Sequence, residues 1–364
     1  MSVYQAHMRR ALRLARKGLG RVSPNPLVGA VVAHGESIVG EGAHLRVGEE
    51  HAEIHALQAA GPAARGAVLY VTLEPCCFEG RTPACTLAVI EAGVARVECA
   101  MLDPDARVSG RGVEQLQNAG IPVSVGLFQA EAERQNAAYI KHRRHGRPLL
   151  TLKLAQSLDG CIASRSGDSR WITGKPARRH VHRTRSQVDA VMVGANTVIA
   201  DDPRLDVRHV RGPQPRPIVV DGRLRAPVEA RVFGQPGAIV VTTEDSDTEQ
   251  QTRLAARGVE IWTFAGIDGR VDIDTVMQRA AEAGMTSILL EGGGTLAAAA
   301  LAARAVDRLQ VYIAPMLLGG GTRSIGDLGA ACIADAVRLQ DIAVRRLGAD
   351  RLFTAMVAYA CSRE

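Results

Sequence analysis

Aromatic side chains are scarce in this chain, making up 3% of its 364 residues. A protein that holds single-stranded nucleic acid by stacking bases needs more rings than that. No apolar run reaches the length that spans a membrane, and the N-terminus lacks the charged-then-apolar pattern of a secretory signal. The chain therefore reads as soluble and cytoplasmic. Its seven cysteines are an odd number without the spacing of a small disulfide-built domain. Four of them, Cys99, Cys161, Cys332 and Cys361, read as reduced structural thiols. Neither G-x-G-x-x-G nor H-E-x-x-H occurs, which argues against a Rossmann cofactor site and a zincin.

What is present is a chain long enough for two cores, 46% hydrophobic and 23% charged. The net charge of +6 favours an anionic partner. With rings so few, that partner reads as a small phosphorylated molecule rather than a nucleic acid.

The densest chemistry lies between His51 and Cys85. It begins with His51-Ala52-Glu53 and continues with Pro75-Cys76-Cys77-Phe78-Glu79-Gly80-Arg81-Thr82-Pro83-Ala84-Cys85. One imidazole and two thiolates suit Zn²⁺ and cancel its charge. Three protein ligands rather than four leave a coordination position for water, the mark of a catalytic site. Glu53, two residues from the histidine, is placed to move protons. His-x-Glu followed by Pro-Cys and a second Cys is the signature of zinc nucleobase deaminases. Here eight residues rather than two separate Cys76 from Cys85. Cys77 is read as non-ligating, because adjacent residues rarely place both thiolates on one tetrahedral ion. His55 shares a helix face with His51 but reads as a packed or surface residue.

In chain order, residues 4 to 18 read as an amphipathic helix, ended by Ser23-Pro24-Asn25-Pro26. Strands follow over 27–33 and 37–43, a helix from His51 to Ala60, and a strand over 67–73. A helix over 83–92 carries Cys85 in its first turn, where the peptide dipoles favour a thiolate. A strand over 96–101, a helix over 112–118, a strand over 121–125 and one helix from Gln129 to His145 complete a mixed sheet covered on both faces. Gly146 and Pro148 stop the last helix, which places a domain boundary between residues 1–146 and 147–364. The second domain opens with an apolar strand over 149–154, then Ser157-Leu158-Asp159-Gly160. Further strands are read over 189–194, 217–221 and 287–291, with a pair over 307–315 and 351–358. The last of the three runs into Gly292-Gly293-Gly294-Thr295 and an alanine-rich helix, a context in which backbone N–H groups approach a phosphate.

The zinc loop, with its Gly-Arg-Thr-Pro insertion, resembles that of the bifunctional riboflavin-biosynthesis family, a pyrimidine deaminase fused to a reductase. The second half resembles the family's reductase in the order of Ser-Leu-Asp-Gly, Trp171-Ile172-Thr173-Gly174, an arginine-rich helix and the glycine turn. The resemblance implies an α/β chain with a cytidine-deaminase-like three-layer domain and a dihydrofolate-reductase-like domain. It implies zinc on His51, Cys76 and Cys85, with Glu53 as proton carrier and Asn25 and His44 beside the pyrimidine. It implies NADPH held by Ala155, Trp171, Thr197, Asp201 and the run Gly293, Gly294, Thr295, Leu296, Ala297, Ala298 and Ala299. Ser169, Arg185, Leu205, Arg208 and Glu291 become substrate positions. Lys153, inside an apolar strand, needs a partner for its charge. It is read as facing the cleft beside Asp201, where it serves the reduction. A homodimer is expected. The sequence departs from the family at Cys77, Phe78 and Glu79, where the family often has a small residue and one or two histidines. The rival reading, a nucleic-acid-editing deaminase with an appended binding domain, requires the two-residue cysteine spacer and an aromatic-rich basic surface.

Overall fold

The computed structural model describes residues 2–78 and 83–359, so Glu79 to Thr82 of the zinc loop and Cys361 lie outside the described residues. The chain divides into two compact units, Met1–Gly146 and Arg147–Glu364.

The N-terminal unit begins with α1 (Val3–Ala15), β1 (Gly29–His34), β2 (Ser37–Ala43) and α2 (Ala52–Ala60). It continues with β3 (Val68–Val71), α3 (Cys85–Ala92), β4 (Arg96–Cys99), α4 (Arg111–Asn118), β5 (Val123–Val125), α5 (Gln129–Gln135) and α6 (Ala137–His145). The five strands form one sheet in the order β2-β1-β3-β4-β5. β1 is antiparallel to both its neighbours, whereas β3, β4 and β5 run parallel. Ser2 and Gln5 form a capping box that starts α1, and its apolar stripe of Met8, Ala11, Leu12 and Ala15 is buried. α2 lies directly on β2. A Cβ on Gly40 or Gly42 would come within 2.1 Å of the carbonyl oxygens of Ala56 and Ala52. Glycine at these two places lets the helix approach, and the approach fixes where His51 and Glu53 stand.

The helix expected over Gln129 to His145 is two helices. Asn136 leaves helical geometry (φ −97°, ψ 15°) because its side chain is used elsewhere. Its Oδ1 accepts from the Leu27 amide at 2.8 Å, and its Nδ2 donates to the Leu27 carbonyl at 3.0 Å. α6 ends at Gly146, whose positive φ supplies the left-handed cap.

The C-terminal unit holds β6 (Leu149–Ser157), β7 (Cys161–Ala163), α7 (Lys175–Arg185), β8 (Ala190–Gly194), α8 (Ala195–Asp201), β9 (Arg216–Val220) and β10 (Ile239–Thr243). Then come α9 (Thr248–Ala256), β11 (Glu260–Phe264), β12 (Gly266–Ile267), β13 (Arg270–Val271), α10 (Ile273–Glu282) and β14 (Ser287–Glu291). The unit closes with α11 (Gly294–Ala302), β15 (Arg308–Ala314), β16 (Thr322–Arg323), β17 (Arg338–Leu347) and β18 (Asp350–Ala358). Nine strands make one sheet, β11-β10-β9-β8-β14-β6-β15-β18-β17. All neighbours from β11 to β15 are parallel, and β18 is antiparallel to both β15 and β17. The central strands β14, β6 and β8 are almost wholly buried, as parallel strands covered on both faces must be. The edge strand β17 is one the sequence reading lacks. Its residues are mostly exposed and mix charged with apolar side chains, so no alternation announces it.

Candidate active sites

In the N-terminal unit, His51 is the N-cap of α2, Cys76 follows β3, and Cys85 is the first residue of α3. His51 Nδ1 lies 3.2 Å from Cys85 Sγ and 3.6 Å from Cys76 Sγ. All three donor atoms fall within 4.8 Å of one another. Zinc bonds of about 2.0 Å to nitrogen and about 2.3 Å to sulfur set tetrahedral donors about 3.6 Å apart, so the set fits this metal. Among the described residues, no other group of three or more such side chains converges in this way. Cys77 Sγ is turned toward the Arg107 carbonyl, 3.9 Å away. His55 is paired with Glu50 at 3.8 Å. Hydrogen bonding from Cys85, joined by the His51 imidazole, holds the Cys76 thiol down to about 4, and the same contact pushes Cys85 up.

Glu53, in the first turn of α2, is buried, and its Oε2 has no hydrogen-bond partner. Burial, reinforced by the anionic Cys76, pushes its carboxyl up to about 7. Such a group can both accept and release a proton near neutrality. His44 Nδ1 faces the Glu50 carbonyl at 3.1 Å and its Nε2 faces Asn25 Nδ2 at 3.1 Å. Burial lowers the pKa of His44, so the ring is neutral: Nδ1–H donates to Glu50, and Nε2 accepts from the Asn25 amide. Its ring meets that of His51 edge-on, with centroids 5.3 Å apart. Asn25, His44, His51, Glu53 and Cys76 line one cavity of about 530 Å³.

That cavity has walls the sequence reading missed. Glu74 accepts four backbone N–H groups, from Asp103, Gly110, Gly112 and Val113, at 2.9 to 3.2 Å. It thereby moulds the loop after β4, which brings Asp103, Asp105 and Arg107 to the cavity, where Tyr139 and Arg143 also line it. The signal that could have found this loop is topological. Ligands bind beyond the carboxyl ends of parallel strands, and β4 is one.

In the C-terminal unit, Lys153, Ala155, Ser169, Trp171, Arg185, Asp201, Leu205, Arg208 and Glu291 all line a second cavity, of about 520 Å³. Its floor is ionic. Lys153 and Glu291 are register partners on β6 and β14, and Lys153 Nζ donates to Glu291 Oε2 at 3.3 Å. Arg185, from the last turn of α7, donates to the same carboxylate through Nε at 2.6 Å and Nη2 at 3.1 Å. Burial alone would push the Glu291 carboxyl up. The two cations outweigh it and hold the group at about 2. Lys153 thus has its partner in Glu291, while Asp201 lines the same cavity and accepts from Arg170 through its backbone carbonyl at 3.0 Å. His182, Arg178 and Arg204 are further cavity residues. His182 Nδ1 accepts from the Arg208 amide at 3.3 Å, and the Arg178 guanidinium lies 4.2 Å from the Trp171 ring centroid.

Thr197 and the glycine turn are not among the residues lining that cavity. Gly293 is the N-cap of α11, with no side chain capping the helix, and its N–H donates to Thr197 Oγ1 at 3.3 Å. A Cβ on Gly293 would meet nothing nearer than 3.9 Å, so the helix start is open to an anionic group, which fits a dinucleotide cofactor. Of the expected cofactor positions Gly293 to Ala299, Ala297 packs inward. Its methyl is fully buried in the hydrophobic core, and its N–H is taken by the Gly293 carbonyl at 3.2 Å.

Residues 1–101 match the family model for the cytidine and deoxycytidylate deaminase zinc-binding region, and residues 148–353 match the RibD C-terminal domain. The riboflavin biosynthesis protein RibD of Escherichia coli (strain K12) is 43% identical over 360 residues, covering 94% of this chain and 96% of that protein. The chain belongs to the RibD family. The RibD of Aquifex aeolicus (strain VF5) is 41% identical over 345 residues, covering 94% of this chain and 96% of its own length. Among solved structures, Acinetobacter baumannii RibD (form 1) aligns with a TM-score of 0.88 at 36% identity, over 98% of this chain and 99% of that one. A Thermotoga maritima diaminohydroxyphosphoribosylaminopyrimidine deaminase/5-amino-6-(5-phosphoribosylamino)uracil reductase aligns with a TM-score of 0.85 at 33% identity, with the same coverage. The chain is therefore a bifunctional deaminase and reductase of riboflavin biosynthesis, pairing a zinc-binding, cytidine-deaminase-like domain with a dihydrofolate-reductase-like domain of the NADPH-using RibD type.

Proposed function

We propose that the N-terminal unit hydrolytically removes an amino group from 2,5-diamino-6-ribosylamino-4(3H)-pyrimidinone 5′-phosphate. The C-terminal unit then reduces the ribosyl group of the product to ribityl. The observation that carries this reading is Glu53, a buried carboxyl with an unpartnered oxygen beside the His51, Cys76 and Cys85 donors. Those three residues would hold zinc, which supplies the Lewis acidity that makes water nucleophilic near neutral pH. Glu53 accepts a proton from the water and passes it to the departing amine, so water is consumed and ammonia released. Asn25 and the neutral His44, tied to each other, orient the pyrimidine.

In the second unit, Thr197 and the open start of α11 would hold NADPH, which supplies the reducing equivalents. Lys153 delivers the proton that opening of the sugar requires. Glu291 takes two Arg185 N–H groups and the Asp206 carbonyl a third, leaving two of the five for the substrate. Arg208 and Ser169 line the same cavity.

Incubation with the diaminopyrimidine phosphate, with and without NADPH, tests both halves. Ammonia should appear in either case, and NADPH oxidation should follow only deamination. An enzyme that oxidises NADPH without releasing ammonia would overturn the order. We further propose a dimer working in the cytoplasm. The six described cysteines are free thiols, which suits a reducing compartment. Among the described residues no helix is long and apolar enough to cross a membrane. β17 is the outer strand of its sheet and exposes Ile342 and Val344, at 57% and 63%, a surface suited to a second copy of the chain.

A further inference from the structure

One wall of the deaminase cavity is built by residues to which the reaction above assigns no role. Phe78, Asp105, Arg107 and Arg143 all line it. Phe78 carries no hydrogen-bonding group where the family often has histidine, yet it is not idle. The Arg107 guanidinium lies over its ring, 4.9 Å from the centroid, a cation–π contact. Arg107 also grips Asp105, with Nε on Oδ1 at 3.0 Å and Nη2 on Oδ2 at 2.7 Å. Arg143 Nε reaches the same Oδ2 at 3.6 Å, and its guanidinium lies 5.3 Å from the Tyr139 ring centroid. Two guanidiniums therefore converge on one carboxylate oxygen. The Arg107 hydrogen bond keeps Asp105 ionised, at about 2, so it is a fixed anion. Tyr139 donates to Asp103 at 2.9 Å, and burial pushes Asp103 up to about 6. At this wall the Arg107 and Arg143 guanidiniums stand beside two carboxylates that are already engaged, Asp105 by Arg107 and Asp103 by Tyr139. The remaining Arg107 and Arg143 N–H groups have the planar fork that matches a phosphate.

We propose that Arg107 and Arg143, braced by Phe78 and Asp105, form a phosphate-reading wall that makes the deaminase site selective for the phosphorylated substrate over its nucleoside. This rests on the reading above that the substrate is a pyrimidine ribosylamine 5′-phosphate. The aromatic shelf and the acidic clamp hold the two guanidiniums in place before substrate arrives, so little side-chain freedom is lost on binding.

The test compares kcat/KM for ammonia release from the 5′-phosphate and from its dephosphorylated nucleoside, in the parent enzyme and in Arg107→Met, Arg143→Met and Arg107→Lys. The parent should prefer the phosphate. In each Met variant that preference should shrink by about 10- to 100-fold, the span of a charge-assisted hydrogen bond, mostly through KM. Arg107→Lys should recover part of it. Zinc content, measured alongside, should stay at the parent level in all variants. A preference that survives both Met substitutions overturns the proposal, even if overall rates fall, because a mere loop brace would weaken both substrates equally. A parent that deaminates both substrates equally well also overturns it, while leaving the reaction itself standing. A parent that releases ammonia from neither removes the proposed substrate, and this inference with it.

Discussion

Glu53 and Glu291 are the same residue, both buried, one in each unit, and their chemistry is opposite. Glu53 has a neighbouring thiolate and an oxygen without a partner, so burial drives its carboxyl up to about 7. Glu291 has Arg185 and Lys153 on its oxygens and stays near 2. The difference shows what decides a buried carboxyl's work. Withholding cations yields a proton carrier. Supplying two yields a fixed anion that positions the cations themselves.

The sharpest way to break this contrast is Glu53→Gln, which keeps the volume and cannot carry a proton. Ammonia release should fall by roughly two to four orders of magnitude, with zinc content unchanged and NADPH oxidation on the deaminated substrate intact. Ammonia release at the parent rate would remove Glu53 from the chemistry. Glu291→Gln attacks the other side. It leaves the buried Arg185 without its counter-charge, which should cost the unit about 3–5 kcal/mol and abolish reduction while deamination persists. The readout is built in: both tryptophans, Trp171 and Trp262, lie in the C-terminal unit, so tryptophan emission during urea unfolding reports on that unit alone.

Lys153→Met removes one of the two cations and leaves Arg185 on Glu291. NADPH oxidation should fall by about 10- to 100-fold, the span of a charge-assisted contact, with ammonia release unchanged. Oxidation at the parent rate would reduce Lys153 to a structural partner of Glu291. A smaller effect comes from acid. Glu291 sits at about 2 against an ordinary 4.5, so its contribution is whole above about pH 4.5 and lost as pH falls toward 2. Burial pushes His180 and His182 down to about 4, so the fold keeps them neutral, and stability drains as pH falls from 6.5 toward 4. The tryptophan-monitored urea midpoint should therefore decline steadily below pH 6.5. Asp103 in the deaminase unit has the opposite sign: raised to about 6 by burial, its contribution is lost as pH rises through 6. The smallest expected effect is that of Cys77→Ser, which should leave zinc content at the parent level. Loss of zinc there, with retention in Cys76→Ser, would exchange the two ligands.

The two sites were not equally legible. The deaminase donors lie within thirty-five residues of sequence, with His51 and Cys85 at helix starts and Cys76 in the turn after a strand, all announced by the pattern of strands and prolines. Glu291 meets its cations across 106 and 138 residues of chain, and nothing local to any of the three encodes the others. Resemblance named Arg185 and Glu291, and a charge inside an apolar strand singled out Lys153; only the pairing of β6 with β14 sets Lys153 beside Glu291. The burial of Ala297 is not legible in the sequence, because an alanine in a cofactor-binding turn and an alanine in a core look alike there. Arg107 and Arg143 draw no functional reading from the sequence, since their cavity exists only once the loop after β4 has closed around Glu74. β17 escaped for the reverse reason, being an edge strand whose pattern is not set by burial.

Asn136 shows how far such a dependence reaches. Its amide offers Leu27 the donor and acceptor that a neighbouring strand would otherwise provide. Leu27 follows the Pro24-Asn25-Pro26 segment, so the near end of the chain is stitched in place by a residue 109 positions later. A ribosome must therefore have released nearly all of this unit before the loop bearing Asn25 can settle. A fragment cut after β5 would keep every zinc ligand and lose the stitch. Leu27 would be left with a buried N–H and C=O to satisfy, and such a fragment should hold metal better than it holds the pyrimidine.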